Sequence, residues 1–87
     1  MTPSARKERK KTRQILFERI AEFLASARKA RGWGQSELAK KAKVDVNTVS
    51  KIENAQGNPT IESVSKIARA LDLEMMIRFD TQAREVR

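Results

Sequence analysis

Cysteine and histidine are both absent from this 87-residue chain. That removes disulfide frameworks, thiol nucleophiles, imidazole bases and the ligand sets of zinc fingers. No glycine-rich phosphate loop is present, and the carboxylates are scattered like surface charges. Enzyme chemistry therefore has little to work with, and the expectation is a non-enzyme that needs no cofactor and no metal. No apolar run approaches the roughly 18 residues that a membrane span requires, and no secretory apolar region stands near Met1. The expected location is the cytoplasm.

What is present is charge. Lysine and arginine number 19 against 11 acidic residues, a net charge of +8. The excess is uneven. Residues 1–13 hold Arg6, Lys7, Arg9, Lys10, Lys11 and Arg13 against Glu8 alone, a net +5. A basic surplus points to a polyanion such as nucleic acid, or to an anionic membrane surface, although a solvated tail would read the same way. Membrane binding by residues 6–13 lacks large apolar residues to anchor it. At 39% hydrophobic and 34% charged residues, the chain fits one small folded domain with a modest core, for which pairing with a second copy would add stability.

Residues 1–13 read as a basic arm or as a forward extension of the first helix, with Thr2 and Pro3 as a possible start. From Ile15 onward Leu16, Ile20, Phe23, Leu24 and Ala27 recur at helical spacing, which predicts an amphipathic helix over 14–31, ended by Gly32. A short second helix is predicted over 35–42, with Leu38, Ala39 and Ala42 inward and Glu37 four residues before Lys41. After the link Lys43-Val44-Asp45, Asp45 caps a third helix over about 46–54, whose Val49 and Ile52 face the core. Gly57 and Pro59 break the chain, and Thr60 caps a fourth helix with Ile61, Val64, Ile67, Ala68 and Leu71 inward. Leu73, Met75, Ile77 and Phe79 then alternate with Glu74, Met76 and Arg78. That is strand spacing, and a lone strand would pair with its copy across a two-fold axis. The competing reading extends the fourth helix through 72–79. The organisation expected is thus 1–13 basic arm, 14–72 main domain, 73–80 dimerisation strand built on Leu73, Met75, Ile77 and Phe79, and 81–87 tail.

Two short helices joined by a three- or four-residue turn fit a helix-turn-helix, in which the second helix enters the major groove. Such a helix needs exposed hydrogen-bonding side chains early on, and Val46, Asn47, Thr48, Ser50 and Lys51 occupy those positions.

The run "QSELAKKAKVDVNTVSKIENAQGNPTIESVSKIARALDL" resembles the lambda-repressor-like (Xre) helix-turn-helix family over about residues 20–72. The likeness rests on Gln35, Ala39, Val44, Ile52-Glu53-Asn54 and Pro59-Thr60. It implies an all-α bundle of four or five helices that binds a palindromic operator in double-stranded DNA as a homodimer. "GWGQSELAKKAKV" and the later "ALDLEMMIRF" are most similar to HipB-type antitoxins. Those carry a C-terminal strand paired across the dimer and bind an operator and a toxin, here favoured as a HipA-like kinase. A phage or restriction-modification regulator is the alternative, and a protein–protein adaptor a further one. Carried over, Gln35 meets a phosphate or the first base, while Val46, Asn47 and Lys51 reach bases. Thr48, Ser50 and Asn54 bind phosphates, as do Lys43 and Lys40 on charge and position. Two departures stand out. Lys43 replaces a frequent glycine, and Gly34 replaces a frequent threonine cap.

Overall fold

The structure is a computed structural model that describes residues 3–78, with side chains from residue 11 onward. Four helices follow one another, α1 (Pro3–Ala30), α2 (Gln35–Ala42), α3 (Val46–Glu53) and α4 (Ile61–Ala70). No helix among the described residues is long and apolar enough to cross a membrane. Nor does any cluster of three potential metal-ligating side chains occur among them.

The core is small and dry. Leu24, Leu38, Ala39, Ala42, Val49, Ile52, Ile67, Ala68 and Leu71 form one buried cluster, with Phe17, Trp33, Val44 and Val64 packed around it. Each apolar side chain fully withdrawn from water contributes about 1.5–3 kcal/mol. Val49 and Leu38, both at 0% exposure, are the α3 and α2 side chains that hold those two helices together.

Helix α1 takes the helical alternative for the basic segment and shifts its buried face. It begins at Pro3, so the basic residues from Arg6 to Arg13 ride on a helix of 28 residues, about 42 Å long. Its inward face is also one position round from the expected stripe. Ala21, Leu24 and Arg28 are buried and Phe17 packs on the core, whereas Leu16, Ile20 and Phe23 are 56%, 45% and 63% exposed. Two adjacent rows of α1 are apolar, and periodicity alone cannot choose between them. The buried row looked less hydrophobic because Arg28 belongs to it. In α4 the predicted stripe is truncated, with Ile67 and Ala68 buried, Val64 half-buried and Ile61 65% exposed.

Caps set the boundaries. Asp45 accepts a hydrogen bond from the Asn47 amide at 2.7 Å, and the Thr60 hydroxyl accepts from the Ser63 amide at 3.0 Å. Gly34 precedes α2 with no side-chain cap. At the other ends all four helices close alike. Each reversal pairs an amide with the carbonyl five residues back and its predecessor with the carbonyl three back, as in Val44 to Ala39 and Lys43 to Lys40. This Schellman geometry needs a left-handed residue, normally glycine. Gly32 fills it after α1, but Lys43, Ala55 and Asp72 fill it after α2, α3 and α4, with φ of 59°, 53° and 59°.

The C-terminal strand is not found. Helix α4 stops at Ala70, and left-handed Asp72 turns the chain out of the helix, so residues 73–78 neither extend α4 nor form a strand. A strand is defined by its ladder, and this single chain offers 73–78 no partner edge. Instead Leu73 folds onto its own core, its amide bonded to the Ala68 carbonyl at 2.8 Å. Met76 and Ile77 stand exposed. Phe79 lies outside the described residues, as do Thr2 and the tail over 81–87.

The left-handed alanine gives a clean test. Ala55→Gly should raise the unfolding free energy by about 0.5–1 kcal/mol, and Gly32→Ala should lower it by a similar amount. A Cβ at Gly32 meets nothing within 4 Å, so the loss is one of backbone conformation alone. Urea denaturation of both variants reads the two shifts.

Candidate nucleic-acid interface

Helix α3 sorts its side chains by burial. Val49 and Ile52 lock it to the core, which turns Asn47 and Lys51 outward, exposed, with Val46 40% exposed. Ser50 and Asn54 lie one turn apart on the same side, the Asn54 amide donating to the Ser50 hydroxyl at 3.4 Å. Val46, Asn47, Ser50, Lys51 and Asn54 thus share one face, while Thr48 sits half-buried at its edge. Lys43 projects from the turn just ahead, exposed, and Lys40 is exposed on α2. The turn between α2 and α3 is Lys43-Val44-Asp45, with Val44 packed inward.

Gln35 is held rather than free. Its Nε2 donates to Glu53 Oε1 at 3.0 Å, so one of its two amide hydrogens is already committed. Glu53 in turn receives Arg28, from Nε at 2.7 Å and from Nη2 at 2.9 Å, while Arg28 Nη1 donates to the Trp33 carbonyl at 2.7 Å. The paired side chains are only 10% and 6% exposed. One carboxylate therefore joins the end of α1, the loop before α2, the start of α2 and the end of α3. Nothing in the sequence reading marks Arg28 as the partner of Glu53. The available signal was a basic residue in the Phe17, Ala21, Leu24 row. Trp33 packs beside the core, under Lys41 Nζ at 4.7 Å from its ring and Arg31 at 5.8 Å. Lys41 serves this ring rather than the expected pair with Glu37. Cation–π contact over tryptophan competes well with an exposed ion pair.

Burial by itself would raise the Glu53 pKa. Hydrogen bonds from Arg28 and Gln35, with the charges of Arg28 and Lys29, outweigh it and hold the carboxyl below its ordinary 4.5. The Arg28 guanidinium is pushed up, chiefly by its hydrogen bond to Glu53.

A short helix, a three-residue turn and a second helix with a polar outer face define a helix-turn-helix DNA-binding domain. The chain belongs to the Xre-like helix-turn-helix family, whose model matches residues 24–76. Over 58 residues it is 38% identical to antitoxin HipB of Escherichia coli K12, covering 67% of this chain and 66% of the relative. It is 37% identical over 62 residues to the HTH-type transcriptional regulator SinR of Bacillus subtilis, covering 70% and 56%. The match thus spans somewhat less than two thirds of these relatives. Among solved structures, a chain described as MDT protein superposes with a TM-score of 0.65 at 35% identity, covering 72% of this chain and 89% of that one. A chain from a structure of a HipA-HipB-O2-O3 complex does so with 0.65 at 37%, covering 75% and 90%.

Because the folded Glu53 carboxyl holds its proton less tightly than the unfolded one, the stability it contributes is complete above pH 4.5 and is lost as pH falls through the depressed folded value. Glu53→Gln leaves Arg28 without its counter-charge and should cost on the order of 3 kcal/mol at pH 7. That difference should narrow below pH 4.5. Urea unfolding of both proteins from pH 3 to pH 7 measures it, and a pH-independent gap would deny the pair its role.

Proposed function

We propose that this chain is a sequence-specific transcriptional repressor, the antitoxin of a type II toxin-antitoxin system, which binds its own palindromic operator as a homodimer. It also neutralises a toxin, of which a HipA-like kinase is the favoured kind. The observation that carries the DNA half is the outer face of α3, polar and exposed because Val49 and Ile52 are wholly buried behind it. The antitoxin half is supported by the likeness to antitoxin HipB and to a chain of a HipA-HipB-O2-O3 complex. The likeness to SinR favours a second reading, a stand-alone regulator with no toxin.

In this reading Asn47 pairs with an adenine, Lys51 reaches a guanine and Val46 touches a thymine methyl. Ser50, Asn54, Thr48, Lys43 and the second amide hydrogen of Gln35 meet phosphates and fix the docking. Two α3 helices about one DNA turn apart, ~34 Å, would read the two half-sites. The exposed Met76 and Ile77 would offer apolar surface to the partner copy, while Leu73 anchors the tail to its own domain.

Fluorescence anisotropy on the chain's own upstream DNA and on a scrambled duplex tests this. Asn47→Ala should weaken binding to the native duplex by ~1–3 kcal/mol and leave the scrambled one nearly unchanged. Lys43→Gly should weaken both and lower the log–log salt slope by about one unit. Equal binding to both duplexes by the wild type would overturn sequence-specific recognition. Co-purification with the product of the neighbouring reading frame, and relief of its toxicity, tests the antitoxin half. Operator binding without either result leaves the stand-alone regulator.

A further inference from the structure

Three of the five α1 side chains expected in the core are instead on the surface. Leu16, Ile20 and Phe23 are 56%, 45% and 63% exposed, spaced four and three residues apart. They form a continuous stripe on one side of the helix. This is the anchor spacing by which a helix lies in a groove of another protein. Three large apolar side chains along one helix face are not the scattered singles of an ordinary surface.

Between Arg13 and Phe23 the charges beside the stripe are basic. Arg13 continues the same row towards the N-terminus, and Arg19 flanks it, both exposed. Position 9, an arginine, lies one turn further along the row on the helical backbone. At 100° per residue, Glu18 and Glu22 fall on another side of α1. A second copy laid along this face would bring arginine towards arginine with no carboxylate between them.

The stripe is also clear of the DNA-reading elements. Gln14 lies on roughly the opposite side of α1, and its Nε2 donates to the Ala55 carbonyl, just after α3, at 3.4 Å. The family match begins only at residue 24, so the stripe precedes the shared domain.

We propose that Leu16, Ile20 and Phe23, with Arg13 and Arg19, form the docking face for a partner protein that presents an apolar groove rimmed by carboxylates. The proposal deepens the antitoxin reading and rests on it, the partner being the toxin. Because the stripe faces away from the loop after α3, one chain can hold operator and partner at once.

The test uses the full chain and, as probe, the purified product of the adjacent reading frame. Two variants are made, Leu16→Ser with Phe23→Ser, and Arg13→Glu with Arg19→Glu. All four positions are exposed, and circular dichroism with thermal melting checks that both variants stay folded. Calorimetric titration should show each variant losing at least about tenfold in affinity for the probe. Operator affinity should hold within about twofold for the serine variant. Unchanged probe binding by both variants, or no binding by the wild type, would overturn the docking face. Sedimentation equilibrium and flotation with phosphatidylglycerol vesicles complete the set. If the serine variant dissociates a wild-type dimer, a second copy covers the stripe. Vesicle binding lost in that variant would assign the face to lipid. Either result overturns the proposal. Loss of operator binding by the wild type is a different failure, that of the regulator reading, and leaves the probe result to be judged by itself.

Discussion

The Arg28–Glu53 pair is the constraint on which the placement of the reading helix depends. Four helices of this size share a core of nine buried side chains, three of them alanine, and apolar contact has no preferred direction. A guanidinium meeting a carboxylate through two parallel hydrogen bonds does. Here its third nitrogen, Nη1, donates to the Trp33 carbonyl, and the carboxylate also receives Gln35. No buried polar side-chain atom among the described residues is left without a partner. A half-satisfied network in that position would be worse than an apolar one. Because it is complete, the end of α3 and the start of α2 are fixed to the same point on α1.

The loops work with this pair. Each helix ends in the same tight reversal, so the chain re-enters the core within three or four residues. Trp33 then fills the corner between α1 and α2, its ring covered by Lys41 and Arg31. Arg31 also donates to the Leu71 carbonyl, which ties the last turn of α1 to the last turn of α4. Side chains that look like surface charge in the sequence thus close the ends of the bundle.

Much of the fold was legible because its signals are local. Asp45 and Thr60 are caps whose side chains bond amides two and three residues on, and the helical spacing of inward apolar residues with the flanking caps and glycine places α2 and α3 to the residue or nearly so. What was not legible is long-range. The choice between two apolar rows on α1 depends on where α3 packs, and the buried row hides behind Arg28, whose partner stands 25 residues away. The strand over 73–79 rested on alternation alone. The chain itself uses Leu73 as a staple onto its core and leaves Met76 and Ile77 outside. For the candidate site, the outward face of α3 follows from the positions of Val49 and Ile52. That Gln35 is already engaged by Glu53 could not be read from residues 18 apart.

At Lys43 the fold meets the function proposed for the helix-turn-helix. Its backbone sits at φ 59° and ψ 44°, where glycine would avoid a cost of roughly 1 kcal/mol. Ala55 and Asp72 carry the same conformation, so strain of this size is tolerated at three of the four helix ends. At Lys43 the strained residue brings a cation to the turn between the two helices of the motif, directly ahead of α3. A glycine would relax the turn and remove that charge from the approach to a phosphate backbone. Since charge on a polyanion acts through released counterions, its contribution grows as salt falls, while the backbone cost stays constant. On the proposed docking the exchange favours lysine most where ionic strength is low, and the same substitution that stabilises the free protein would weaken its grip on DNA.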